Sequence, residues 1–295
     1  MTAVPVAEIA DAISVASGMR FQVTRQTDAA GGCINRSLVV QDAARRYFVK
    51  LNHADRLSMF EAEAAGLAEL AASGALRVPA PLTHGLAAGQ SFLVLEWLDL
   101  AHGGPIPWAK LGERLARLHR VSASRFGWRR DNTIGSTLQA NRETADWGDF
   151  YREQRMRPQL ILAAQNGAPK RLLQSGDQLL AHLGAFFLDY TPPPSLLHGD
   201  LWSGNVGSCA GEPVVFDPAV YFGDRETDLA MTELFGGFPA SFYAAYQAVW
   251  PLDAGYAVRR DLYQLYHLLN HFNLFGSGYA RQSQTALDRL LAELR

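Results

Sequence analysis

Hydrophobic patterning shifts along these 295 residues from mainly short extended runs to almost wholly helical spacing, and that shift bounds the fold. Short extended runs separated by turns fill residues 21–51 and 91–95. From Trp108 onward, apolar residues recur every third or fourth position. In the run Arg45 to Leu51, Tyr47, Val49 and Leu51 share one face, with Phe48 and Lys50 on the other. Arg36 to Val40 and a turn at Gln41–Ala44 precede it, and Gly31–Asn35 interrupts the first strand pair. A helix is expected over about Ser58–Ala72, with Phe60, Glu63, Leu67 and Leu70 on one face. Ser58 and Glu61 fit a capping box at its start. An earlier helix carries Ile9, Ile13 and Val15. Later ones carry Leu111 to His119, Trp147 to Arg157, Leu172 to Leu188, Phe242 to Val249, Leu262 to Leu269 and Thr285 to Leu294. The clearest boundary is Glu96-Trp97-Leu98 running into Gly103-Gly-Pro-Ile-Pro107. The expectation is an α+β chain: a small antiparallel-sheet lobe over 1–96 and a large, mainly helical lobe over 97–295.

Lys50 ends a largely apolar strand next to the Gly31-Gly32 turn. That suits a loop covering nucleotide phosphates, with the lysine reaching them from the adjacent strand. An ordinary hairpin and a surface lysine read the same way. Glu63 sharpens the choice, because it is the one acid on an apolar helix stripe. A buried acid needs a cation, and Lys50 is the candidate.

The chemistry concentrates in His198-Gly-Asp-Leu-Trp-Ser-Gly-Asn205 and Phe216-Asp217-Pro218. Val206–Ser208 and Pro213–Phe216 flank Cys209-Ala-Gly211-Glu212, a hairpin signal. Closing that hairpin is expected to set Asn205 opposite Asp217. One carboxylate and one amide, with nucleotide phosphates and waters, suffice for magnesium. Asp200 then fits the acid–base role on a substrate hydroxyl. A turn-stabilising Asp and a left-handed Asn are the structural alternatives. His198 reads as a brace for the loop.

Composition excludes other classes. A net charge of −2 gives nucleic acid or an anionic membrane no electrostatic footing. Two cysteines, Cys33 and Cys209, make neither a disulfide framework nor a zinc site. No apolar run approaches membrane-spanning length, and the N-terminus lacks the basic start of a signal peptide. The cytoplasm is the expected compartment. Only three of the 27 basic residues are lysines (Lys50, Lys110, Lys170), so Lys50 stands out.

The stretch His198–Asn205, then Phe216-Asp-Pro-Ala-Val-Tyr-Phe-Gly-Asp-Arg-Glu-Thr-Asp-Leu-Ala-Met231 and Leu234-Phe-Gly-Gly237, resembles the fructosamine kinases (ketosamine-3-kinases). These lie within the aminoglycoside-phosphotransferase-like, protein-kinase-like group. The resemblance extends over nearly the whole chain, including Gly31–Asn35, Phe60–Glu63 and Trp147 with Gln154-Arg155. It implies a two-lobed kinase-like fold and phosphorylation by ATP, with Mg2+, of a ketosamine at its 3-hydroxyl. The labile product then releases the amine. It also implies that Asp200 is the catalytic base and that Asn205 and Asp217 hold magnesium. Gly31, Gly32 and Lys50 would hold phosphates, Glu63 would hold Lys50, and Glu96, Trp97 and Leu98 would line the adenine. Asp228 would brace the catalytic loop. Because Pro218 follows Asp217, a swinging segment is not assumed.

The substrate side stays open. Trp202 either faces the sugar or walls the pocket. Trp128, Glu226, His267 and His271 are further pocket candidates. Cys33, beside glycines that favour a thiolate, is either an ordinary loop residue or the site of a redox-linked dimer in an otherwise monomeric protein. The competing functions are a kinase for an aminoglycoside, choline or a free sugar, and an inactive nucleotide-binding module.

Overall fold

The computed structural model describes residues 4–29, 34–100, 102 and 104–294. In chain order, helix α1 (Val6–Ser17) precedes strands β1 (Arg25–Asp28), β2 (Arg36–Gln41) and β3 (Arg46–His53). Helix α2 (Leu57–Ala72) and strands β4 (Pro81–Ala87) and β5 (Gln90–Glu96) follow. Then come α3 (Trp108–His119), β6 (Asn132–Ile134), β7 (Thr137–Gln139) and α4 (Trp147–Tyr151). A π-helical turn, Arg152–Met156, joins α4 to α5 (Arg157–Gln165). The rest is α6 (Lys170–His182), β8 (Ser195–Leu197), β9 (Val206–Cys209), β10 (Glu212–Val215), β11 (Tyr221–Gly223), α7 (Glu226–Leu234), α8 (Ala240–Val249), α9 (Tyr256–Phe275) and α10 (Ala280–Glu293).

The chain divides into two compact units. One is Met1–Ile106 together with Gly207–Asp217; the other is Pro107–Val206 together with Pro218–Arg295. The first holds a five-stranded antiparallel sheet in the order β1-β2-β3-β5-β4. Val49 and Leu51 turn one face of β3 into a core shared with Ile9 and Ile13 of α1, Leu38 and Val40 of β2, and Phe92 and Val94 of β5. The other face of β3 carries Lys50, opposite Leu93 in register. Phe60, Leu67 and Leu70 of α2 are fully buried, as their spacing requires. The β9–β10 hairpin joins this unit through Val215 N–H, which donates to Arg77 O at 3.0 Å.

The second unit is mainly helical, with α9 packed against α5, α7 and α10, and α3 against α8. Its β content is two small ladders, β6–β7 and β8–β11. None of the described helices is long and apolar enough to cross a membrane.

Several local readings need correction. Ser58 does not cap α2. A 3-10 turn, Ala54–Arg56, feeds straight into the helix, so Ser58 lies inside it, and the Arg56 N-cap makes no side-chain hydrogen bond. The helix read as ending at Arg157 continues to Gln165: Pro158 follows the π-turn, and the Gln154 carbonyl that an N–H at 158 would bond accepts from Arg155 Nη1 at 2.9 Å instead. The closing helix starts at Ala280, not Thr285. Pro81 opens β4, a strand the spacing did not predict; it lies at the sheet edge, where proline is tolerated.

Candidate active site

In the first unit, Lys50 Nζ lies 2.6 Å from Glu63 Oε1 and 2.6 Å from Asp217 Oδ1. The lysine is only 5% exposed. Burial alone would pull its ammonium down. Asp217 and then Glu63 outweigh that and hold it above the usual lysine value, so it is a fixed cation. Glu63 reaches it because α2 packs on β4 and β5 with the Phe60–Leu70 stripe inward. Asp217 reaches it from the end of the β9–β10 hairpin, in a left-handed backbone conformation (φ +56°). Its side chain stays 44% exposed, so one carboxylate is shared between a buried cation and solvent.

In the second unit, the loop after β8 is pinned from beneath. Asp228, on the first turn of α7, accepts the N–H of His198 and of Gly199, each at 2.8 Å. His119, the last residue of α3, donates to the same carboxylate from Nε2 at 3.1 Å, while its Nδ1 meets Tyr246 Oη at 2.8 Å. Burial would raise the Asp228 carboxyl, but the His119 bond and the amides hold it below its usual value. Gly199 has φ +82°, and a Cβ there would stand 2.1 Å from Ala219 O, so only glycine fits this turn. Asn205 turns its Nδ2 to Asp200, 2.8 Å from the backbone O and 3.3 Å from Oδ2. That turns its Oδ1 away from Asp200.

Trp202 is 38% exposed and meets Phe235 edge-on, with ring centroids 6.4 Å apart. Phe235 in turn packs on His271 at 4.6 Å, and His271 on Tyr279 at 5.1 Å. The Trp202 ring lies over Gly204, where a Cβ would be 2.3 Å from it. Sequence reasoning missed Phe235 as the partner of Trp202. It also missed His119, whose only signal was its place at a helix end.

Other candidates fall elsewhere. Gly31, Gly32 and Cys33 lie outside the described residues. Glu226 is fully buried and bound by Arg259 at 2.7 and 3.0 Å, so it is an ion-pair residue of the interior. Trp128 is buried. His267 is buried, and its Nδ1 has no hydrogen-bond partner among the described residues. Burial, then His271, pulls His267 down to about 3 from 6.5. The folded protein therefore keeps it neutral while the unfolded chain protonates. Stability should fall as pH drops from about 6.5 toward 3, by about 1.4 kcal/mol per unit from this group. His267→Gln should flatten the fall of Tm between about pH 6.5 and 4; an unchanged slope would remove His267 as a cause.

The family model described as fructosamine kinase matches residues 5–293. The chain belongs to the fructosamine kinase family. A probable ketoamine kinase of Synechocystis sp. is 48% identical over 289 residues, covering 96% of each chain. A chloroplastic protein-ribulosamine 3-kinase of Arabidopsis thaliana is 42% identical over 282 residues, covering 94% of this chain and 86% of that one. Among solved structures, a protein from Haemophilus somnus described as a fructosamine-3-kinase superposes with TM-score 0.88 at 30% identity, covering 96% of each chain. As a member of the fructosamine kinase family, the protein is a phosphotransferase, and the expected kinase-like α+β architecture is borne out.

Within this fructosamine kinase fold, Glu96 at the end of β5 spends its carboxylate on Arg77 and on Ala80 N–H, and its own N–H donates to Ala80 O at 2.8 Å. Leu98 O accepts from Leu100 N–H at 2.9 Å. That bond closes a tight turn just after Trp97. No cluster of three or more metal-binding side chains occurs among the described residues. A magnesium ion carried on nucleotide phosphates needs fewer protein ligands, and the half-exposed Asp217 carboxylate and the Asn205 amide oxygen have the right hard-oxygen chemistry.

Proposed function

We propose that this protein transfers the γ-phosphoryl group of ATP to the 3-hydroxyl of a ketosamine, a fructosyl or ribulosyl adduct on an amine or lysine side chain. The phosphorylated adduct then breaks down to free the amine. One observation carries the reading: the His198–Asn205 loop is pinned on Asp228, so that Asp200 is held beside Asn205 and Trp202. A loop fixed by two backbone amides and a buried imidazole pre-organises its carboxylate for one task.

Trp202 offers an aromatic face to the sugar, with Phe235 and His271 behind it. Asp200 accepts the proton of the 3-hydroxyl as that oxygen bonds to the γ-phosphorus. The bond from phosphorus to the β,γ-bridging oxygen breaks, and ADP carries away the electron pair. Lys50, held charged by Glu63 and Asp217, counters phosphate charge. Asn205 and Asp217 would hold magnesium, which neutralises the nucleotide phosphates when bound.

The test is a panel of fructosyl-lysine, ribulosyl-lysine, a glycated protein, choline and kanamycin with ATP, read by mass for the phosphorylated product. Turnover of at least one ketosamine is expected. Turnover confined to choline or kanamycin would overturn the reading.

A further inference from the structure

Behind the catalytic loop runs a buried polar chain that the transfer step does not touch. It begins at the π-turn between α4 and α5. Such turns insert a residue into the helical ladder and recur at functional sites. Here the turn aims two consecutive side chains, Gln154 and Arg155, at residues 140–142. Gln154 accepts Arg142 N–H at 2.8 Å and donates back to Arg142 O. Arg155, fully buried, donates to Ala140 O and to Asn141 Oδ1, each at 2.6 Å. Its guanidinium lies over the Tyr221 ring at 4.0 Å.

From Asn141 the chain passes to β6 and β7. Asn141 Nδ2 donates to Asn132 Oδ1 at 3.0 Å, and Gln139 Nε2 donates to the same oxygen at 2.8 Å. Two links then leave for the segment before β11. Gln139 Nε2 also donates to Ala219 O at 3.2 Å, and Asn132 Nδ2 donates to Val220 O at 2.8 Å. Ala219 is no bystander. Its N–H donates to His198 O at 2.8 Å, and its carbonyl fills the space under Gly199 that a Cβ would need. Asp228 thus grips the N–H edge of the His198–Gly199 turn, and the Ala219 segment grips the opposite edge.

The Gln139 amide works only one way round. Tyr266 Oη donates to Gln139 Oε1 at 2.7 Å, which forces the NH2 toward Ala219 O. A flipped amide would set two acceptors against each other. Gln139, Asn132, Asn141 and Tyr266 are all buried, so none of these bonds is readily replaced by bulk water.

We infer that Gln139, oriented by Tyr266, is a positioning residue for phosphoryl transfer: it sets the height of Ala219 and, through it, the turn that carries Asp200. The inference rests on the proposed function for its assay.

The experiment compares Gln139→Met, Tyr266→Phe and the double variant with wild type. The readouts are kcat, KM for both substrates, Tm and ADP-binding stoichiometry. Displacing a catalytic group by a fraction of an ångström to an ångström costs up to about 10²-fold. Gln139→Met should therefore lower kcat about 10- to 100-fold with KM values within about three-fold. Tyr266→Phe should lower kcat about 3- to 10-fold, and the double variant should be no slower than Gln139→Met, because both act through one amide. ADP binding should stay near one per chain.

A kcat for Gln139→Met within about two-fold of wild type would overturn the inference. So would a multiplicative loss in the double variant, or a loss of kcat matched by a loss of ADP-binding sites, since that is only misfolding. If Gln139→Met does not fold, Tyr266→Phe decides alone, and an unchanged kcat refutes. If wild type phosphorylates no ketosamine, the substrate reading fails by itself. The variant ratios are then taken on ATP hydrolysis without acceptor, which uses the same loop.

Discussion

Asp200→Asn is expected to lower turnover about 10²- to 10⁴-fold while leaving ADP binding and Tm nearly unchanged. The substitution preserves shape. The Asn205 Nδ2 bond to the backbone oxygen of Asp200 does not involve the replaced side chain, and the amide oxygen of the new side chain can still accept the weaker bond that Oδ2 now accepts. The amides of His198 and Gly199 remain on Asp228. The loss therefore reports proton acceptance rather than loop collapse. Single-turnover rates with saturating ketosamine and ATP measure it. More than about a tenth of wild-type kcat in the variant would remove Asp200 as the base. It would also point to a phosphotransferase that positions substrates without general-base help.

Lys50→Met carries the second large effect, and it has two separable parts. Breaking a buried ion pair from one side typically costs about 3–5 kcal/mol, because the partner charge is left without compensation. Glu63 is that partner, on a stripe otherwise filled by Phe60, Leu67 and Leu70. Asp217 is half exposed and can be solvated, so it adds less. A fall in Tm of about 5–10 °C is expected. The double variant Lys50→Met/Glu63→Gln should recover much of this loss, since the buried charge is gone. It should not recover ATP turnover if Lys50 meets the nucleotide phosphates as proposed. Thermal melts and ATP titrations of the three proteins separate the parts. Recovery of turnover in the double variant would mean that Lys50 serves the fold and not the nucleotide.

How far the sequence reaches is clear from particular residues. The faces of β3 and α2 follow from period alone: Val49 and Leu51 go to the α1 core, and Phe60, Leu67 and Leu70 go inward. The pairing of Glu63 with Lys50 followed from one acid on an apolar stripe and one conspicuous lysine. The β6–β7 and β8–β11 ladders left no comparable trace. Strands of three residues are too short for alternation to show, and a pairing such as Tyr221 with Leu197 joins residues far apart along the chain. The Ser58 capping box failed because a local motif was overridden by the turn that runs into the helix. The π-turn was invisible because its cause is tertiary: Gln154 and Arg155 are both satisfied by backbone and side chains at 140–142.

By itself, the sequence determined which chemistry this protein carries and on which kind of element each group sits. His198-Gly-Asp200, Asn205, Asp217, Lys50 and Glu63 are local in their signals, each set by a turn, a hairpin or a helix face. Only the tertiary structure decided what holds those groups still. His119 on Asp228, Ala219 under Gly199, and Gln139 turned by Tyr266 join residues separated by about 20 to 127 positions. Such contacts depend on burial, which makes each polar group find a partner, and burial is a property of the packed chain rather than of any window of residues.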